Sequence, residues 1–145
     1  MKANELRIGN YVNVPNSEQC PFRIDAFEHC SEKFIKVAQE VKLNGFEVHP
    51  LTWYGADLEP IPLTEEWLLK FGFYLRDGFS NTFKLNVEKH QYDCSEITYS
   101  EKEGLFRFSN GQQKGTTLIP HIKYVHQIQN LYFALIGEEL KQQEQ

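Results

Sequence analysis

Histidine and cysteine are the side chains of this sequence best suited to bind a metal or act as a nucleophile, and they occur in two pairs. His29 is followed directly by Cys30, and His90 precedes Cys94 by four positions. Zinc sites usually contain two closely spaced ligand pairs, and no second pair accompanies His90 and Cys94. On a strand, neighbouring side chains point to opposite faces, so His29 and Cys30 do not form a dyad there. We predict no metal, no cofactor and no catalytic residue.

Paired carboxylates and a possible phosphate loop also have structural explanations. Asp57 and Glu59 lie near a proline-bounded loop, whereas Glu65 and Glu66 begin a predicted helix, where carboxylates complement the helix dipole. Residues 110–117 contain Gly, Lys and Thr, but not in the order of a P-loop, so we predict a hairpin loop. A thiol enzyme or hydrolase built on the second His–Cys pair is the least favoured alternative.

Charge and cysteine content limit the classes of partner and compartment. The chain carries 15 Lys and Arg against 20 Asp and Glu, a net charge of -5, and its basic residues are spread singly. Because phosphate backbones are bound through clustered Lys and Arg, this distribution disfavours non-specific nucleic-acid binding. An odd number of cysteines and the lack of an apolar signal segment in residues 1–7 predict a reducing, cytoplasmic setting. No segment approaches the ~18 apolar residues of a membrane span.

Short apolar segments with close turns fill the first sixty residues. Alternation runs over 6–14 and 22–27, and again on both sides of Asn44 and Gly45, which are typical of a hairpin turn. The opening segment, Leu-x-Ile-Gly-Asn-x-Val over residues 6–12, resembles the first strand of SH3-like small barrels. We therefore predict an SH3-like small β-barrel in residues 1–60.

A short helix, an antiparallel meander and a C-terminal helix are predicted for residues 61–145. Thr64 is the expected N-cap of a helix over 65–71, and Gly72 is its expected stop. Strand alternation over 79–119 predicts a meander of three or four strands. Apolar residues at helical spacing predict a helix over roughly 122–136, followed by a polar tail that frays. The chain is thus predicted to be an α+β protein whose two parts share an interface.

Four residues on one side of the C-terminal helix are candidate binding residues. His126, Gln129 and Asn130 surround Phe133 on the polar side of the predicted helix. An exposed aromatic ring flanked by amides and a histidine suits a protein interface. The alternative is that the helix packs on two sides, with Phe133 in a second contact within the chain.

Trp53 and Tyr54 form a second candidate binding site in a loop bounded by glycine and proline. Two neighbouring aromatic rings are able to stack on a ligand or a base, with Lys42 or Arg23 nearby in the barrel to contact phosphate. The alternative is that both rings close the end of the barrel. This pair supports the nucleic-acid alternative, whereas the acidic net charge weighs against it.

Three blocks of the sequence carry a resemblance to a known group. They are ELRIGNYV over 5–12, PIPLTEEWLLKFGF over 60–73 and YVHQIQNLYFALIGEEL over 124–140. Together they resemble a group of small uncharacterised proteins encoded by Bacteroides-type bacteria, their phages and mobile elements. The resemblance implies a bacterial or phage cytoplasmic context, and it implies no activity and no catalytic residues.

Taken together, these patterns favour a non-enzymatic protein-binding or adaptor module. The expected partner is a protein, and a surplus apolar face is compatible with a homodimer. A nucleic-acid-binding module that uses the small β-barrel is the alternative function.

Overall fold

The computed structural model describes most of the chain: residues 5–14, 21–31, 34–43, 46–54, 58–78, 81–88, 94–109 and 116–143. For residues 26–54 this description covers the backbone alone. Within these ranges the protein is α+β, with antiparallel sheets and two helices, as predicted. It divides into two compact units. The first comprises Met1–Pro62 and Tyr124–Leu131, and the second comprises Leu63–Lys123 and Tyr132–Gln145.

The first unit contains two small antiparallel sheets. Strand β1 (Tyr11–Val12) pairs with β2 (Phe22–Arg23). Strands β3 (Ala26–Ser31), β4 (Phe34–Leu43) and β5 (Phe46–Tyr54) form the second sheet in that order. No closed barrel exists among the described residues, so the SH3-like barrel stays a prediction.

The predicted hairpin between β4 and β5 is confirmed by its register. Leu43 pairs with Phe46, so two residues connect the strands, although Asn44 and Gly45 themselves lie outside the described residues. Further along, the register shifts between Gln39 and Val41. This shift is where Pro50 falls on β5, and a residue without an N–H is tolerated in a sheet at such an irregularity.

A small apolar core lies beneath the β1–β2 pair. Leu6, Val12, Val14, Ile24 and Leu58 are buried together, with the ring of Phe22 packed against them. Val12 lies in β1, and the other four core residues lie in irregular segments outside the strands.

The second unit is built on one five-stranded antiparallel sheet. Its strands are β6 (Tyr74–Leu75), β7 (Thr82–Glu88), β8 (Cys94–Ser100), β9 (Leu105–Ser109) and β10 (Thr116–Ile119). The spatial order is β10-β9-β8-β7-β6, so each strand pairs with its neighbour in the chain. The predicted meander corresponds to β7 through β10. Strand β6 was missed because two residues are too few to show alternation.

One face of this sheet is the core of the second unit. Phe83, Ile97 and Phe106 are buried on neighbouring strands. The Phe106 ring stacks on Tyr99 with the centroids 4.5 Å apart, and it meets the edge of the Phe73 ring at 6.4 Å. The three rings thus form a contiguous aromatic cluster with Phe106 at its centre.

The short helix α1 (Glu65–Lys70) has the predicted caps. The Thr64 hydroxyl accepts a hydrogen bond from the Trp67 N–H at 3.5 Å. At the other end, Gly72 adopts a φ of 83°, and the N–H groups of Gly72 and Phe73 donate to the carbonyls of Leu69 and Leu68. This is a Schellman motif, whose left-handed residue is favourable as glycine.

Helix α2 (Val125–Ile136) begins three residues later than the predicted start at 122. The delay has a tertiary cause: Tyr124 forms an isolated β-bridge with Pro62, and the Val125 N–H donates to the Ile61 carbonyl at 2.9 Å. The side chain of Gln127 in turn accepts from the Tyr124 N–H at 3.2 Å, as in half of a capping box.

The polar tail does not fray as far as the structure describes it. The Gln143 N–H donates to the Lys70 carbonyl at 2.8 Å, which satisfies one of the carbonyls left free at the end of α1. The prediction of a frayed tail is therefore wrong up to residue 143, and residues 144–145 lie outside the described residues. No helix in the described ranges is long and apolar enough to cross a bilayer.

Candidate functional site

The polar residues predicted to lie on an exposed face of α2 are largely internal. His126 and Gln129 are each 1% exposed, and Asn130 is half-buried. The expectation of an open amide and histidine surface is therefore corrected at these positions. The physical reason is that the N-terminal segment of the chain covers this side of the helix.

Gln129 binds that segment through both atoms of its amide. Its Nε2 donates to the Gly9 carbonyl at 2.9 Å, and its Oε1 accepts from the Tyr11 N–H at 2.9 Å. The side chain thus hydrogen-bonds two backbone groups of the N-terminal segment at once. A buried amide with matched partners stabilises one packing arrangement over others.

Asn130 extends the same network by one residue. Its Nδ2 donates to the Glu5 carbonyl at 2.8 Å, and its Oδ1 accepts from the Asn10 side-chain amide at 3.0 Å. Asn10 is fully buried, and its Oδ1 accepts from the Arg7 N–H at 2.8 Å. Residues 5–11 and the start of α2 are therefore connected by four hydrogen bonds through two adjacent amides.

His126 is buried without such partners. Neither ring nitrogen has a hydrogen bond among the described residues, and the ring stacks on Tyr124 at 5.8 Å with an angle of 9°. Burial lowers the pKa of His126, and the nearby Glu5 carboxylate opposes that shift more weakly. The neutral imidazole is the form that fits this position.

Phe133 is the member of the predicted face that reaches solvent. It is 37% exposed near the C-terminal end of α2, and its carbonyl accepts from the Gly137 N–H at 2.7 Å. A ring at this exposure contacts both solvent and its own unit, so its role in partner binding stays a prediction.

Trp53 and Tyr54 lie at the end of β5 rather than in a loop. Their backbones pair with Val37 and Lys36 of β4, and their side chains lie outside the described part of the chain. Arg23 forms an ion pair with Asp25 at 3.3 Å. The stacking role predicted for the two aromatics is thus neither supported nor opposed by their placement.

The structure adds nothing to the His–Cys alternatives. His90 lies outside the described residues, and of Cys94 the backbone alone is described, within β8. Within the described ranges, no group of three His, Cys, Asp or Glu side chains is arranged to hold a metal ion.

An open surface exists instead at one end of the second unit's sheet. Strand β10 is the last strand on that side, and it pairs with β9 along one edge. Thr116, Thr117 and Leu118 are all exposed, and Leu118 is 57% exposed. Within the described part of the chain, no backbone hydrogen bond is made on the other edge of β10.

A cavity of about 420 Å³ lies next to the C-terminal end of β10. Its apolar part is formed by side chains from four separate segments of the second unit: Leu63, Tyr99, Leu105, Pro120 and Ile122. Burial, and secondarily Glu101, raise the pKa of Tyr99, so its phenol is protonated and remains a hydrogen-bond donor. The volume lies within the range of pockets that hold small ligands or single side chains.

The polar part of the cavity is formed by Glu103, His121 and Lys123. Glu103 forms an ion pair with Arg107, four residues further along the chain. His121 and Lys123 are exposed, and His121 has a φ of 70°. Residues other than glycine rarely adopt that conformation, and such strained residues cluster at binding sites.

Sequence reasoning missed this site because its parts are distant in the chain. Leu63, Tyr99 and Ile122 carry no shared motif, and each looks like an ordinary apolar residue. One signal was available: Pro120 directly follows the last residue of β10, and His121 and Lys123 come shortly after it. Proline at the end of a strand marks the place where the chain leaves the sheet.

Comparisons of the chain with family models, with curated proteins and with solved structures found no match. The resemblance to small proteins of Bacteroides-type bacteria and their phages therefore stays a prediction.

Proposed function

We propose that the protein is a non-enzymatic protein-binding module that pairs an extended segment of a partner protein with β10. The observation that carries this proposal is the outer edge of that strand, with which no strand in the described part of the second unit pairs. An edge strand presents alternate N–H and C=O groups outward, and a partner strand satisfies them. Peptide addition to a sheet edge is a common mode of protein recognition.

The side chains of β10 suit this role as well as its backbone does. Natural proteins protect sheet edges with charged residues, prolines or very short strands. Strand β10 has four residues, none charged, and it presents two threonines and an exposed leucine. The opposite edge strand, β6, has two residues and offers a partner less backbone.

The direct test uses peptides of about ten residues, selected by display against the wild-type protein. Their Kd is measured by calorimetry for the wild type and for two variants. Leu118→Asp alters β10, and Leu75→Asp is the matched control because Leu75 is a 50% exposed leucine on the other edge strand. We expect Leu118→Asp to weaken binding at least about tenfold and Leu75→Asp to leave it unchanged. Equal binding to Leu118→Asp and the wild type would contradict the proposal.

Backbone pairing is tested by N-methylation of the best peptide at alternate positions. A peptide that adds as a strand directs every second N–H toward β10. Methylation in one frame therefore abolishes binding, and methylation in the other frame leaves it intact. If both methylated peptides bind like the parent, the peptide does not add as a strand and the proposal fails.

Other outcomes identify the alternatives. A concentration-dependent dimer that Leu118→Asp dissociates would make a second copy of this chain the partner. The SH3-like barrel and nucleic-acid binding belong to the alternative function. Oligonucleotide binding that weakens with salt and is lost in Trp53→Ala would favour that function over strand addition.

A further inference from the structure

The contact between residues 5–11 and the first turns of α2 is a pH-sensitive junction: we propose that it opens locally, while the protein stays folded, when His126 takes up a proton. The α2 junction, as we call it, consists of this N-terminal segment and of the side chains of His126, Gln129 and Asn130. In the open state these three side chains become accessible to solvent. The junction lies in the first unit, and its opening does not rest on strand addition at β10.

The three helix side chains of the α2 junction lie on one side of α2. His126, Gln129 and Asn130 follow each other at the spacing i, i+3 and i+4, which places them together on the helix surface. His126 and Gln129 are each 1% exposed. Both ring nitrogens of His126 lack a hydrogen-bond partner among the described residues. The junction therefore buries one titratable ring that is not held by any hydrogen bond.

The hydrogen bonds of the α2 junction do not titrate themselves. Gln129 and Asn130 form four hydrogen bonds with residues 5–11, and every donor and acceptor in them is an amide or a backbone group. Such groups carry no charge at any ordinary pH. On opening, water replaces each lost partner, so the net cost of each bond is modest. A change of pH thus acts on the junction through His126 and not through the hydrogen bonds that close it.

The N-terminal segment is also held on the side that does not face α2. The Gly9 N–H donates to the Ile24 carbonyl at 2.6 Å, and the Ile24 N–H donates to the Asn10 carbonyl at 2.9 Å. Leu6 belongs to the small apolar core of the first unit. Separation from α2 therefore leaves the segment attached to the residues around β2. Openings of this limited kind need less free energy than unfolding of the whole protein.

The direction of the pH effect follows from the surroundings of His126. Burial lowers the pKa of His126; the Glu5 carboxylate raises it and the terminal amino group lowers it, both with smaller effects than burial. In the open state water solvates the ring, whose pKa then returns to its ordinary value of about 6.5. The open state thus binds the proton at a higher pH than the closed state does. As pH falls below about 6.5, the equilibrium shifts toward the open junction, until the pKa of the closed state is reached.

Amide hydrogen exchange of the full chain, followed by NMR, tests the opening directly. The Tyr11 N–H donates to Oε1 of Gln129, so its protection reports the closed junction. The Ile24 N–H, which donates to the Asn10 carbonyl, is the internal control on the other side of the segment. After correction for intrinsic exchange, we expect the protection of Tyr11 to fall several-fold between about pH 7 and pH 5, and that of Ile24 to stay constant. This range ends above the ordinary pKa of a glutamate, about 4.3.

Two results in the wild type would overturn the proposal. If protection fell equally at Tyr11 and Ile24, acid would loosen the whole first unit rather than the α2 junction. If protection at Tyr11 did not change over this range, the junction would stay closed when the pH falls. Neither result depends on whether a variant folds.

His126→Phe and His121→Asn assign the effect to one histidine. His126→Phe keeps a ring and removes the titration, so the protection of Tyr11 should no longer depend on pH. His121→Asn is the matched control, because His121 is an exposed histidine and asparagine tolerates its left-handed backbone. We expect the control to keep the several-fold fall of the wild type. The same fall in His126→Phe would show that another group opens the junction, and it would overturn the role of His126.

Discussion

The start of α2 in the first unit and the cavity of the second unit contain similar polar chemistry in opposite situations. In the first unit, the side-chain amides of Gln129 and Asn130 form hydrogen bonds with residues 5–11 of the same chain. In the second unit, His121 and Lys123 stand exposed at the wall of a cavity. Both regions look like ordinary polar sequence, but His126 and Gln129 are buried whereas His121 and Lys123 are exposed.

The difference shows that a polar side chain on a helix is weak support for binding until its burial is known. A buried amide must satisfy its donors and acceptors inside the protein, because an unpaired buried group is costly. Once it is buried with those partners, it is not accessible to a ligand. His121 and Lys123 are exposed to solvent, so their polar groups do not have to find partners inside the protein.

Among replacements of polar residues, the largest expected effect comes from replacing Gln129. Gln129→Leu leaves the Gly9 carbonyl and the Tyr11 N–H without their partner, which should cost about 3 kcal/mol of unfolding free energy. Urea denaturation measures this loss. Gln127→Leu is the control, since it removes the hydrogen bond to the Tyr124 N–H at the helix start and should cost about 1 kcal/mol. If both variants lost the same unfolding free energy, the buried hydrogen bonds of Gln129 would contribute no more to stability than the bond at the helix start.

The second prediction concerns acid stability. Because burial lowers the pKa of His126, the unfolded state takes up the proton first as pH falls. The contribution of neutral His126 is therefore complete above the unfolded pKa of about 6.5 and is lost as pH falls toward the folded pKa. His126→Phe keeps a ring at this position and removes the titration, so its unfolding free energy should fall less between about pH 7.5 and pH 5.

The measurement is a series of urea unfolding curves for both proteins across that pH range. On acidification, the unfolding free energy of the wild type should fall relative to that of the His126→Phe variant. If the unfolding free energies of both proteins fell equally with pH, His126 would have to be protonated or accessible to water in the folded state.

The smallest expected effect is at Phe133, the exposed end of the predicted face. Phe133→Asp should lower the unfolding free energy by less than about 1 kcal/mol, because the ring is partly in solvent. Phe106→Ala provides the contrast and should cost about 3–5 kcal/mol, because Phe106 is fully buried in the sheet core. A loss at Phe133 as large as that at Phe106 would place it in the core. If the Phe133→Asp variant no longer bound the selected peptides, the binding surface would include α2 rather than β10.

The parts of the fold that sequence predicted best are those controlled by neighbouring residues. Thr64 and Gly72 flank α1 as expected, and Leu43 pairs with Phe46 across the predicted hairpin turn. Caps and tight turns depend on hydrogen bonds and backbone angles within about four residues. Their signals are therefore complete in the local sequence.

The candidate site was not predictable in the same way. The cavity assembles Leu63, Tyr99 and Lys123, which are separated by up to sixty residues. The covering of His126 and Gln129 depends on a segment more than a hundred residues earlier in the chain. Helical periodicity separates the sides of a helix, but it does not say which side another segment will cover.

The sequence by itself determined the α+β class, the caps of α1, the hairpin between β4 and β5, and the course of the meander, because each follows from periodicity or from turn chemistry. Tertiary structure alone decided which polar groups became internal and which stayed open. That choice depends on distant segments meeting, since burial of a polar group is tolerated where a partner is brought to it from elsewhere in the chain. Gln129 forms hydrogen bonds with Gly9 and Tyr11, whereas the outer edge of β10 pairs with no other strand in the described part of the chain.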